Sequence, residues 1–268
     1  MAKKTIHDAV REICLSFPEA VELSAHGLPD FRVGKKTFAT YVVNHHGDGR
    51  VALWLNSPPG AQEIHVRGEP RYFFVPPYVG PRGWLGVNLD KGLSWKRIAV
   101  LVREAYEKVA PPKLRAAIGK TIEISPPQAK MKPEEIDPML APRGQRLLKA
   151  MRKACLAFPD ASEGEQFGRP AWRAGKRAFA LAFFSRGRLK AGFWVGVEQQ
   201  GLLTSDERYT IPAYIGHQGW IELDVHDSLD FDELQQLAAA SYRHFANKRM
   251  LSALDSPGAP RPRSKRKT

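Results

Sequence analysis

The chain has 268 residues, of which 43% are hydrophobic and 10% aromatic, enough to bury a core in one large domain or two of ordinary size. No run approaches the roughly 20 apolar residues needed to cross a bilayer, and two cysteines, Cys14 and Cys155, are too few for a disulfide framework or a four-sulfur metal site. The net charge of +13 is the global anomaly and favours polyanionic partners such as nucleic acid.

Met1-Ala2-Lys3-Lys4-Thr5 leads directly into an amphipathic segment with no apolar signal stretch, so the cytoplasm is the expected compartment. Val10, Ile13, Cys14 and Phe17 recur at helical spacing, and Pro18 ends that helix. A Gly34-Lys35-Lys36 turn precedes a strand over Thr37–Asn44, and His46-Gly47-Asp48-Gly49 turns the chain into a second strand, Val51–Leu55. A short, weakly helical stretch follows, then a strand from Trp84. Ile98, Leu101, Val102, Ala105, Tyr106 and Val109 form one stripe of a closing amphipathic helix.

The same series then repeats. Cys14-Leu15-Ser16-Phe17-Pro18-Glu19-Ala20 returns as Cys155-Leu156-Ala157-Phe158-Pro159-Asp160-Ala161, an offset of 141. From Cys14 to Ala39, 13 of 26 positions are identical at that offset, where chance would give about one or two. Later the offset falls to 136, matching Pro76-Pro77-Tyr78-Val79-Gly80-Pro81-Arg82-Gly83-Trp84 to Pro212-Ala213-Tyr214-Ile215-Gly216-His217-Gln218-Gly219-Trp220. The second copy therefore has strands at Ala178–Ser185 and Leu189–Val195, a strand from Trp220, and a last helix opened by Asp230 and Glu233 at capping-box spacing. Helix, antiparallel meander, helix is an α+β pattern, here in two tandem copies.

The expected organisation is a first domain over 1–122, a proline-rich linker over 123–143, a second domain over 144–255 and a basic tail over 256–268. Pro126, Pro127, Pro133, Pro138 and Pro142 mark the linker as semi-rigid, and the tail's prolines and cations mark it as disordered. Residues up to Ile118 carry a net charge of +6, Gln145–Asp255 carries +2 and the tail +5, so repeat 1 is expected to contribute more to any polyanion contact.

Phe-Pro, then Gly-x-Pro-x-aromatic-Arg-x-Gly-Lys, then Pro-x-Tyr-x-Gly-x-x-Gly-Trp ahead of a final helix resembles the MmcQ/YjbR-like proteins. Both halves match, apart from linker and tail, so the chain resembles a fused pair of such domains. The resemblance implies a compact α+β fold similar to the CyaY (frataxin-like) fold and a DNA-binding role through a double-wing arrangement. It brings no catalytic residues. Many relatives have Trp ahead of the Gly of the Gly-x-Pro motif, where this chain has His26 and Phe167; the mismatch between the two copies argues for packing there.

Candidate phosphate contacts are the turn cations Lys35, Lys36, Lys176 and Arg177, the flanking Arg32 and Arg173, and the tail cations Arg261, Arg263, Lys265, Arg266 and Lys267. Charge neutralisation and counterion release make such groups sequence-independent anchors. Tyr78, Trp84, Tyr214 and Trp220 are candidates to stack on bases or line a pocket, weighed against a place in the core. The histidines form no ligand set, since His45 and His46 are adjacent and would point oppositely on a strand while the others are scattered. No metal or cofactor is expected. The chain also lacks a phosphate-binding Gly-x-x-x-x-Gly-Lys-Ser/Thr loop, a Gly-x-Ser-x-Gly elbow and paired carboxylates, and Cys14 and Cys155 fall on an apolar helix face. The sequence thus favours a non-enzymatic nucleic-acid-binding protein, DNA rather than RNA, monomeric with an internal pseudo-dimer. The alternative is a protein- or small-ligand-binding module using the Tyr/Trp surfaces.

Overall fold

The computed structural model describes residues 3–25 and 28–256. They form two compact units, Met1–Lys132 and Pro133–Thr268, each built on one six-stranded antiparallel sheet. Mixed helix and antiparallel sheet in two copies is an α+β architecture.

In the first unit, α1 (Ile6–Cys14) begins with a complete capping box, in which Thr5 Oγ1 accepts from the Asp8 amide and Asp8 accepts from the Thr5 amide. Its stripe of Ile6, Ala9, Val10, Ile13 and Cys14 is buried. Glu19, in a left-handed conformation (φ 54°), reverses the chain into β1 (Ala20–Ala25). Then come β2 (Leu28–Val33), β3 (Lys36–Val43), β4 (Val51–Leu55), α2 (Ala61–Gly68), β5 (Phe73–Phe74) and β6 (Leu85–Asn88), in the order β1-β2-β3-β4-β6-β5. α3 (Trp95–Val109) packs against α1 and β3, and α4 (Pro112–Ala116) ends the domain. The hairpin β1–β2 and the two-residue β5 are additions to the sequence reading. β1 has no buried residue along its length, so it carried no buried alternation to read.

The second unit repeats this frame as α6 (Pro142–Cys155), β7 (Ala161–Gln166), β8 (Arg169–Ala174), β9 (Arg177–Ser185), β10 (Arg188–Trp194), α7 (Val197–Leu203), β11 (Tyr209–Thr210), β12 (Trp220–Asp224), α8 (Phe231–Phe245) and α9 (Lys248–Asp255), preceded by a short α5 (Pro133–Ile136). Its core joins Leu147, Met151 and Cys155 of α6 to Leu234, Ala238 and Tyr242 of α8 and to Ala180, Phe193, Ile221 and Leu223 of the sheet. The expected capping box of α8 is only half formed. Asp230 accepts from the Asp232 and Glu233 amides, but the Glu233 carboxylate turns instead to Arg208 and Tyr209.

One arrangement recurs at the centre of both units. Phe17 stacks on Tyr106 with centroids 4.7 Å apart, and Phe38 meets Tyr106 edge-on at 5.4 Å. Phe158, Tyr242 and Phe179 repeat this at 4.6 and 5.3 Å. Each tyrosine donates a 2.6 Å hydrogen bond to the carbonyl of the proline that follows the first helix, Pro18 or Pro159. A register shift at Phe31/Arg32 and at Trp172/Arg173 makes Phe38 and Phe179 the extra residue of a bulge in the adjoining strand.

The proline-rich segment is more structured than a free linker. Lys4 O accepts from the Gln128 and Ala129 amides, and Lys4 Nζ donates to Ser125 O, tying that part to the first unit. Beyond it, Pro133 and Pro142 open helices, where a missing amide hydrogen costs nothing, and Met139 is buried within the second unit.

Replacing Tyr106 or Tyr242 by Phe keeps the stacking but leaves a half-buried carbonyl without its donor. Each substitution should lower stability by about 1–3 kcal/mol in denaturant unfolding, and by similar amounts in the two units. An unchanged midpoint for either would contradict the role given to that bond.

Candidate nucleic-acid interface

The two basic turns are tight hairpin connections. Val33 pairs with Lys36 and Ala174 with Arg177, leaving Gly34-Lys35 and Gly175-Lys176 as the two-residue loops. Gly34 (φ 57°) and Gly175 (φ 63°) take the left-handed conformation such turns demand. Lys35, Lys36, Lys176 and Arg177 are exposed, with no ion pair among the described residues.

The flanking arginines are not free. Arg32 Nε donates to Asp30 Oδ2 at 2.5 Å, and the buried Asp30 carboxylate also accepts from Thr37 Oγ1 at 2.8 Å and Thr40 Oγ1 at 2.7 Å. Arg173, whose partner position is Ala171, donates to the Glu165 and Lys176 carbonyls at 2.8 and 3.1 Å and braces the hairpin. Both are thus engaged within their hairpins, unlike the turn cations they flank. Asp30 and Arg32, two residues apart on one strand, share a face, so their pairing was open to a period-2 reading, whereas the Thr37 and Thr40 donors emerge only with the β2–β3 register. The tail cations Arg261, Arg263, Lys265, Arg266 and Lys267 lie outside the described residues, as does His26.

A cation cluster that sequence reasoning missed lies on α6. Pro142–Cys155 holds Arg143, Arg146, Lys149, Arg152 and Lys153 and no acid, and all five are exposed. Arg143, Arg146, Lys149 and Lys153 fall at three- and four-residue intervals, hence on one face about 15 Å long. Arg146 and Lys149 have no ion pair among the described residues. Arg143 lies 3.3 Å from His226 Nε2 and lowers the pKa of nearby Asp227, behind the larger effect of Arg188; Lys153 Nζ lies 4.3 Å from the Phe231 ring centre. Arg152 is consumed by a bidentate pair with Glu163. At the 141 offset, Lys149 and Lys153 correspond to Asp8 and Glu12, and Glu12 pairs with Lys4. The visible signal was a 14-residue helix with five cations and no acid; net charge summed over the whole second copy, which is only slightly basic, hid it.

The late motif is structural in its glycines. A Cβ on Gly80 would come 2.4 Å from Val75 Cγ1, and one on Gly216 would come 2.3 Å from Ile211 Cγ2. Gln62 Nε2 donates to the carbonyls of Gly80 and Trp84, and Gln200 Nε2 donates to those of Gly216 and Trp220, clamping both ends of the turn. Trp220 is buried and Trp84 half-buried against Trp54 and Phe74, whereas Tyr78 (69% exposed) and Tyr214 (87%) project outward. The tyrosines and tryptophans therefore do not share one open surface. Phe167 is 77% exposed in a left-handed turn, so the packing role expected at that position does not hold for it. His45 and His46, expected to point apart, lie in a 3-10 turn with ring centroids 4.2 Å apart.

Cys14 and Cys155 are free and buried. Among the described residues no group of three or more His, Cys, Asp or Glu could hold a metal ion, and no helix is long and apolar enough to cross a membrane.

The fold and the paired motifs define a duplicated α+β domain of one type. The model of the YjbR family matches residues 15–108 and again 156–244, together more than half of the chain, and the chain belongs to that family. A crystal structure of a Deinococcus radiodurans protein with a DUF419 domain is similar at 19% identity and a TM-score of 0.36, over 45% of this chain and 94% of that one. No curated protein matches.

Burial pushes both thiols well above their ordinary pKa, with Glu22 or Glu163 adding to the shift, so they stay protonated at pH 8. A thiol-specific disulfide reagent should therefore modify neither cysteine in the native protein and both after unfolding. Rapid native-state labelling would contradict this.

Proposed function

We propose that this protein is a non-enzymatic nucleic-acid-binding protein, with DNA the expected polymer, and that the α6 ridge of Arg143, Arg146, Lys149 and Lys153 is its principal phosphate-contacting surface. The observation that carries the reading is this row of exposed cations on a helix without a single acid. The exposed turn cations Lys35, Lys36, Lys176 and Arg177 supply further sequence-independent contacts, and the tail cations add to the charge. An acidic membrane is a poorer match, because the apolar side of α6 is already buried in the core and has nothing left to insert. The excess charge of repeat 1 favoured that copy, but Asp8 and Glu12 stand where Lys149 and Lys153 stand in repeat 2, which shifts the weight to the second copy. The double-wing label of the family points the same way as to polymer. A monomer carrying both copies would gain avidity if both engage one strand.

A second reading, a protein- or small-ligand-binding module, rests on the exposure of Tyr78 and Tyr214. The burial of Trp220 weakens it.

Duplex DNA titrated at several salt concentrations should bind with a log–log slope steeper than about −3, the share that three or four ridge contacts alone supply. Arg146→Ala with Lys149→Ala should flatten that slope by about 2, whereas Arg32→Ala should leave it unchanged. Absence of binding at low salt, or binding wholly lost on removing residues 257–268, would overturn the proposal.

A further inference from the structure

Beside the β3–β4 turn of the first unit lies a cluster that the phosphate contacts do not use. Tyr78 Oη is 2.8 Å from His46 Nε2, and the Tyr78 ring meets His46 at 5.7 Å and His45 at 5.9 Å between centroids. His45 packs edge-on against Trp54 at 4.9 Å. Arg50 lies 4.4 Å from the Phe74 ring centre and pairs with Asp48.

Two features mark this cluster as more than packing. Asn44, His46 and Tyr78, none of them glycine, all have left-handed backbones (φ 50°, 53° and 63°). Each costs stability, and such residues persist where the surroundings or a function hold them. The buried Nε2 of His45 and Nε1 of Trp54 also lack hydrogen-bond partners among the described residues, beside an exposed aromatic ring.

The second unit provides an internal contrast. Its corresponding turn is only Arg186-Gly187, and Gly192 occupies the position of Trp54, since Leu55 pairs with Leu85 as Phe193 pairs with its counterpart Ile221. Tyr214 there is more exposed than Tyr78, has no left-handed backbone and makes no ring contact among the described residues. Common ancestry therefore does not account for the cluster.

We infer that Tyr78, with His45 and His46 behind it, is a stacking platform for one unpaired nucleobase, which gives the first copy a preference for single-stranded over duplex nucleic acid. This rests on the nucleic-acid reading above. A base offers a flat π-face to Tyr78 and ring-edge donors and acceptors to nearby polar groups, the combination by which unpaired bases are recognised. Burial and the neighbouring His46 hold His45 below its usual pKa, so near pH 7 its ring is neutral. In a duplex the base faces are already stacked and unavailable.

The test is a fluorescence-anisotropy titration of the full chain with a labelled single-stranded oligonucleotide and with its duplex. Tyr78→Ala should weaken single-strand binding about tenfold while leaving duplex binding unchanged, and Tyr78→Phe should retain single-strand binding because the ring survives. Tyr214→Ala should change neither. Circular dichroism melting of each variant separates misfolding from lost contact. Unchanged single-strand binding in folded Tyr78→Ala, or equal losses on single strand and duplex, would overturn this inference while leaving the ridge proposal standing. Failure of the unaltered chain to bind either polymer would overturn both.

Discussion

Each half of this protein depends on a stacked tyrosine whose hydroxyl reaches one proline carbonyl. Tyr106 and Tyr242 sit on the last long helix, stack on the phenylalanine that closes the first, and meet the bulged phenylalanine of the third strand edge-on. The hydroxyl then ties this group to the Pro18 or Pro159 carbonyl, where the chain leaves helix for strand. Both helices and the sheet are thereby set in mutual register by one ring. Offset stacking adds about 0.5–1.5 kcal/mol per pair beyond area burial, and the buried hydroxyl is satisfied rather than stranded.

With that aromatic core held, the two copies have diverged around it, at buried as well as exposed positions. Glu69 pairs with Arg97 in the first unit, while Arg208 pairs with Glu233 in the second, so one helix position has reversed its charge and takes its partner from a different place in the preceding loop. Asp30 and its two threonine donors give way to Ala171, Leu181 and Ala178, while Ala52 gives way to Lys190, which pairs with Glu222. Arg11–Glu22 and Arg152–Glu163, by contrast, pin the first helix to the edge strand in both copies. The copies share the stacked tyrosine and the helix-to-edge-strand pair and differ elsewhere, inside as well as on the surface.

Much of this was legible in the residues. The repeat, the two long helices and the central strands follow from apolar spacing, which core burial enforces. β1 and β7 were not legible, because an exposed edge strand need not alternate. Arg32 read as a free cation although Asp30, two residues away on the same strand, shares its face, whereas the carbonyl partners of Arg173 leave no signal in the residue types. The α6 ridge was visible only to a charge count made helix by helix. The His45–His46–Tyr78 group was hidden because a left-handed turn, which the residue types do not announce, brings it together.

The central claim, that one fold is used twice with different surfaces facing a polyanion, is tested most directly by amide chemical-shift mapping of the full chain with a single-stranded oligonucleotide at low salt. The account predicts perturbations along Arg143–Lys153 and around Tyr78 and His46, with little change at the corresponding Thr5–Glu12 and Tyr214. Equal perturbation of corresponding positions in the two units, or none at either surface, would contradict it.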